Sequence, residues 1–167
     1  MDECIKRSAG VFRLGASTNA RIRRISIKIR GMAMSRTAVA VIATLLSMGV
    51  LDAIWLTTMT TRLYRRQLTS LLLDTPSWAP ALAFYLLYAV GVVVLVVRPA
   101  LDGEWPLGRA IAVGALLGLV AYGTYDLTNQ ATLRGWSMVV TAVDMAWGAS
   151  LTAVVAAIAI TAGRRFS

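Results

Sequence analysis

From Thr37 to Ala162 the chain is written as long apolar runs separated by short polar interruptions. Between Arg36 and Arg62 the only charge is Asp52, and Thr37–Thr58 is long enough to carry an α-helix across the hydrocarbon, which takes about 20 residues. Three further runs follow, over about 78–97, 107–129 and 136–162. The second ends at Arg98-Pro99, because proline disfavours the α conformation in the residue before it. Asp102-Gly103 with Pro106, then Arg134 with Gly135, mark the next connections, and Arg164-Arg165 stops the last run. None of the four alternates apolar and polar residues as an outer-membrane strand does. The pattern therefore predicts an all-α protein, a four-helix transmembrane bundle over residues 37–163, preceded by a basic and disordered N-terminal tail over 1–36. Between the first two spans, Thr61–Asp74 has arginines near its start and Leu68, Leu71 and Leu72 at helical spacing. It reads as an amphipathic helix lying in the interface, with Tyr64 at headgroup depth.

The third run carries the most distinctive pattern. Tyr122, Tyr125, Asp126 and Asn129 stand at i, i+3, i+4 and i+7 on one helix face, and Gly114 and Gly118 continue that face as a small-xxx-small strip. In the fourth run Thr141, Asp144, Gly148 and Thr152 make one face; in the first, Asp52 and Trp55 are neighbours one turn after Gly49. Four back-and-forth crossings bring the ends of helices one and three to the same membrane side as the starts of helices two and four. Asp52, Trp55, Tyr85, Tyr88, Tyr122, Tyr125, Asp126, Asn129, Asp144 and Trp147 all fall at that end, while the other end is almost purely aliphatic. A polar cavity open to one face is the simplest geometry for this asymmetry. An aspartate in the membrane costs about 3 kcal/mol on insertion scales, so these three must face inward and pair or take up a proton.

Composition sharpens the picture. Of 167 residues, 57% are hydrophobic and 15% charged, with mean hydropathy +0.67, which is a bilayer protein's balance. The net charge of +9 sits mostly before the first apolar run and in short loops, as juxtamembrane charge does, and nucleic acid is not an expected partner. The sole cysteine, Cys4, excludes an intramolecular disulfide and a thiolate metal site. The absence of histidine removes imidazole-ligated metals and every catalytic triad with a histidine base.

The tail itself admits two readings. Arg21–Arg30 alternates basic and β-branched residues, either as an arm on anionic headgroups or as upstream sequence ahead of a true start at Met32 or Met34. With the full chain, 13 basic residues lie on the side of both termini against four opposite, which makes both termini cytoplasmic in a bacterial plasma (inner) membrane. From Met32 or Met34 onward the comparison shrinks to five against four.

LDAIWL (51–56), FYLLYAVG (84–91), RPAL (98–101), GALLGLVAYGTYDLTNQATLRGW (114–136) and VDMAWG (143–148) resemble a bacterial predicted-membrane-protein family of unknown function. The likeness runs over about 39–156 and is most specific through YDLTN. It implies a four-span fold and draws attention to Asp52, Asp126, Asn129, Asp144 and their tryptophan partners, but brings no reaction with it.

Three functional classes follow. One is a small membrane enzyme, or a membrane subunit of one, acting on a lipid or amphipathic substrate, with Asp126 as general acid or base, Asn129 orienting the substrate or that carboxyl, and Asp52 and Asp144 as partners. Tyr85, Tyr88, Tyr122, Tyr125, Trp55 and Trp147 then line the substrate site. Three carboxylates and an amide have the chemistry to hold Mg2+, but the paired DDxxD-like clusters of prenyl-transferring membrane enzymes are missing, so neither metal nor other cofactor is expected. The second class is a proton-coupled carrier working as a homo-oligomer, the third an accessory subunit that steadies a membrane partner protein with its polar cluster as glue.

Overall fold

The computed structural model describes residues 35–166. The tail expected over residues 1–36, with the question of its start, falls outside them except for Ser35 and Arg36. The described residues form four long helices: α1 (Arg36–Gln67), α2 (Trp78–Leu101), α3 (Leu107–Thr132) and α4 (Met138–Arg165), and each is long and apolar enough to cross a membrane. No strand occurs among the described residues.

The helix ends follow local chemistry. Ser35 caps α1 by accepting from the backbone N–H of Ala38 at 3.2 Å. Pro80 lies in the first turn of α2, where a missing N–H costs no helical bond. The turns after α2 and α3 use Gly103 at φ +89° and Gly135 at φ +78°, a region side chains disfavour. Along the spans, hydroxyls settle within their own helix: Thr44, Thr58, Thr124 and Ser150 each donate to the carbonyl four residues back. A lone hydroxyl in hydrocarbon thereby needs no partner from another helix.

Two helices run further than their sequence suggests. The segment expected to lie in the interface instead continues α1 through a π-helical turn, Thr60–Tyr64, and one last α turn, Arg65–Gln67. Only the remainder, after Gln67, is loop. α2 continues through Arg98-Pro99 to Leu101, with Arg98 still α-helical at φ −59°, ψ −51°. Here a second π-helical turn, Val93–Val97, precedes the proline, and the Arg98 N–H bonds back to Val93. Widening the helix there relieves the clash between a proline ring and the carbonyl of the preceding turn.

The strongest packing joins α3 to α4 along two facing rows of every fourth residue. Ala110, Gly114, Gly118 and the Asp126 position on α3 are buried, as are Asp144, Gly148, Thr152, Ala156 and Ile160 on α4. A Cβ on Gly114 would stand 3.2 Å from the Ala156 Cβ and 3.2 Å from the Thr152 carbonyl. A Cβ on Gly118 would overlap the Gly148 carbonyl, and one on Gly148 the Tyr122 ring. Backbones this close are what small residues on i±4 ridges permit.

The aliphatic end is packed with apolar side chains. Ala40, Val92, Val96, Val97, Val155, Ala159 and Ile160 form its core. Two of its arginines are held: Arg36 pairs with Asp102 at 3.0 Å, and Arg164 donates to the carbonyls of Ala100 at 3.1 Å and Trp105 at 3.2 Å. Around the outside, Leu46, Val50, Leu86, Leu87 and Val120 stand exposed. A surface of that kind is compatible with acyl chains and not with water.

Candidate functional site

The acids enter the site from three helices, and all three are buried: Asp52 at 6% exposure, Asp126 at 0% and Asp144 at 8%. Asp52 on α1 accepts two hydrogen bonds, from the Tyr85 hydroxyl of α2 at 2.5 Å and from Trp147 Nε1 of α4 at 2.9 Å. Trp147 in turn stacks face to face on Trp55, with centroids 4.2 Å apart and planes 6° from parallel. Trp55 Nε1 donates to the Tyr64 hydroxyl at 2.8 Å, and Tyr64 donates to Asp144 Oδ1 at 2.6 Å. One polar chain thus runs from α2 through α1 to α4. The aromatic groups stand between Asp52 and Asp144, so the space read from the sequence as a polar cavity is threaded by indoles and phenols.

Asp126 is different. It is fully buried on α3, and neither carboxylate oxygen has a hydrogen-bond partner among the described residues. Asp144 lies within electrostatic reach, as does the Tyr64 hydroxyl. An ionised carboxylate has only acceptors to offer, so a buried one needs a donor: its own proton, or one from a bound molecule. Asp52 and Asp144 have theirs from tyrosine and tryptophan.

The remaining expected site residues divide. The Tyr88 hydroxyl bonds Thr152 Oγ1 at 2.7 Å, and Thr152 donates to the Gly148 carbonyl at 2.8 Å, which fixes α2 on α4. Tyr122 lays its ring on Gly148 and lies within electrostatic reach of Asp52, Tyr88, Tyr85 and Tyr64. Asn129 is half-buried one turn beyond Asp126 and lies within electrostatic reach of Tyr125. Tyr125 is not brought into the cluster: it is 59% exposed and meets Trp136 edge-on at 5.6 Å. The contact between α3 and α4 follows every fourth residue, and Tyr125 stands about 100° round the helix from Asp126.

Tyr64 is the residue that sequence reasoning left out of the site. In an unbroken α-helix it would stand nine residues, or about 180°, round from Trp55. The π turn inserts an extra residue and takes back about 100° of that rotation, which swings the phenol toward Trp55 and Asp144. The usable signal was Tyr64 itself, a hydrogen-bond donor within reach of buried acids if α1 is long. Changing Tyr64 to phenylalanine should cost about 1 kcal/mol of bundle stability, and red-shift the tryptophan emission as Trp55 loses its acceptor; unfolding in mixed micelles read by fluorescence checks both.

Four membrane-crossing helices with a buried polar cluster at one end define a multi-pass membrane protein in a lipid bilayer. The chain belongs to the family described as Predicted membrane protein (DUF2177), whose model matches residues 37–161. Neither a curated protein nor a solved structure matches it significantly.

Proposed function

We propose that the protein is a small membrane enzyme, or the membrane subunit of one, that handles a lipid or other amphipathic molecule at its polar end. Asp126 is the group that exchanges a proton with the substrate, and Asn129 orients it. Asp52 and Asp144 act as positioning residues, since each already holds aromatic donors. The observation that carries this reading is the contrast among the acids: two are bonded, while the least exposed one has both oxygens unpartnered among the described residues. Intramembrane acids are expensive, and one that ties nothing together needs another reason to be there. We place the protein in a bacterial inner membrane with both termini cytoplasmic, a reading supported by where its basic residues stand along the chain.

The carrier reading needs a homo-oligomer, and the small-residue face that would build one is occupied within the chain, Gly114 and Gly118 lying against α4. The accessory reading draws on the bonds of Asp52 and Asp144, which do join helices. Asp126→Asn separates it from the enzyme. Native mass spectrometry of the purified protein should find an amphipathic molecule with the wild type and at least roughly tenfold less with the variant, at equal folded yield, since a donor-accepting carboxyl contributes about 1.5–3 kcal/mol. Equal retention by both proteins would leave Asp126 without a ligand and favour the accessory reading.

A further inference from the structure

At the aliphatic end, Arg36 is paired with Asp102, Arg164 is held by two carbonyls and Arg109 lies over the Trp105 ring at 4.9 Å, while Arg98 and Arg165 are exposed without an ion pair among the described residues. At the polar end, Arg62, Arg65, Arg66 and Arg134 are exposed, and none meets a carboxylate within ion-pair distance among the described residues. They are nevertheless gathered. The Ser137 hydroxyl, three residues after Arg134, donates to Gln67 Oε1 at 3.0 Å, which ties the α3–α4 connection to the end of α1 just beyond Arg65 and Arg66. The same turn of α1 carries Tyr64 inward to Asp144. Beside this rim, Leu73 and Trp78 are exposed at 72% and 70%, side chains suited to the interfacial layer.

Building on the proposed function, we infer that Arg65, Arg66 and Arg134, with Arg62 one turn below, form the headgroup subsite of the Asp126 centre, and that its substrate is a lipid with an anionic phosphate head. Guanidinium groups fork onto phosphate oxygens, and arginines without carboxylate partners are free to do so. Depth supports the pairing of the two subsites. Asp126 lies six residues inside the end of α3 and Asp144 six inside the start of α4, about 9 Å below the rim in each case. The interfacial layer of one leaflet is about 5–7 Å thick. A phosphate held at the rim therefore sets the glycerol or the first acyl carbons of its lipid at the level of Asp126, and that is the part of the molecule on which the site acts.

The test uses the full chain in nanodiscs of equal phosphatidylglycerol and phosphatidylcholine with matched acyl chains, read by the lipids retained in native mass spectrometry. The wild type should retain phosphatidylglycerol preferentially, and R65Q/R66Q/R134Q should lower that preference at least roughly tenfold. R98Q/R165Q, on the opposite rim, should leave it intact. No preference in the wild type, or equal loss in both arginine variants, would overturn the subsite. Displacement of the lipid by excess inorganic phosphate would overturn it too, reassigning the rim to a soluble phosphate. A phosphatidylglycerol preference in the wild type, with Asp126→Asn retaining the same molecules from the native membrane, would sink the enzyme reading and keep the lipid class.

Discussion

Gly118→Ala should cost about 3 kcal/mol, and lower the unfolding midpoint in mixed micelles more than any other single methyl added to this chain. The new Cβ meets the backbone carbonyl of Gly148 and the Thr152 hydroxyl. A flexible side chain could swing away, but a carbonyl inside a helix cannot, so α3 and α4 would have to separate along the whole facing row. Their separation would also lift Tyr122 off Gly148 and shift Asp126 away from Asp144. Gly49→Ala is the control, since a Cβ there meets nothing within 4 Å. That variant should be neutral or slightly more stable, alanine being the better helix former by up to about 1 kcal/mol. Equal destabilisation by the two substitutions would mean that the α3–α4 contact is not made through Gly118.

Asp52→Ala has the second-largest expected effect, about 2 kcal/mol. It removes two accepted hydrogen bonds at once and leaves the Tyr85 hydroxyl and the Trp147 N–H without a partner. Interhelical bonds in bilayers average about 0.6 kcal/mol each, so the bonds account for part of the loss; the two orphaned donors supply the rest, at less than the roughly 1–3 kcal/mol that each would cost if fully buried. Asp52→Asn should be far milder. Its carbonyl oxygen can still accept from Trp147, and its amide can donate to the Tyr85 oxygen, because a hydroxyl works in either direction while an indole N–H does not.

Much of this architecture is legible in the residues because the bilayer leaves so few options. Apolar runs of spanning length must be helices, and connectivity then decides which ends share a side. The convergence of Asp52, Asp126 and Asp144 needed nothing more than that. The packing of Gly114 and Gly118 was readable as a small-xxx-small strip, although its partner row through Gly148 and Thr152 appears only when α4 is docked. Two features were hidden for a common reason, the helical phase. A π turn at Thr60–Tyr64 rotates Tyr64 into the cluster, and an every-fourth-residue contact row leaves Tyr125 facing outward. A pattern read at a constant α-helical period sees neither. Pro99 misled in the same way: the rule against α before proline holds for a regular helix, and Val93–Val97 is not regular.

What no periodicity could convey is the difference among the three acids. Asp52 and Asp126 look alike in the sequence, each a lone carboxylate near the end of an apolar span. Their fates depend on donors brought from 33 and 95 residues away for Asp52 and on the lack of any among the described residues for Asp126. On the proposed reading, a helix tie and a group kept for a ligand differ in their side-chain partners rather than in residue type.

That separation is most directly measured by comparing the unfolding of Asp52→Ala, Asp144→Ala and Asp126→Ala with the wild type in the same micelles. Asp52→Ala and Asp144→Ala should unfold well before the wild type, and Asp126→Ala should unfold with it or after it, since its carboxyl holds no helix to another. If Asp126→Ala instead falls as far as Asp52→Ala, then Asp126 is a structural tie like the others, and the claim that it is kept for a ligand or a proton is wrong.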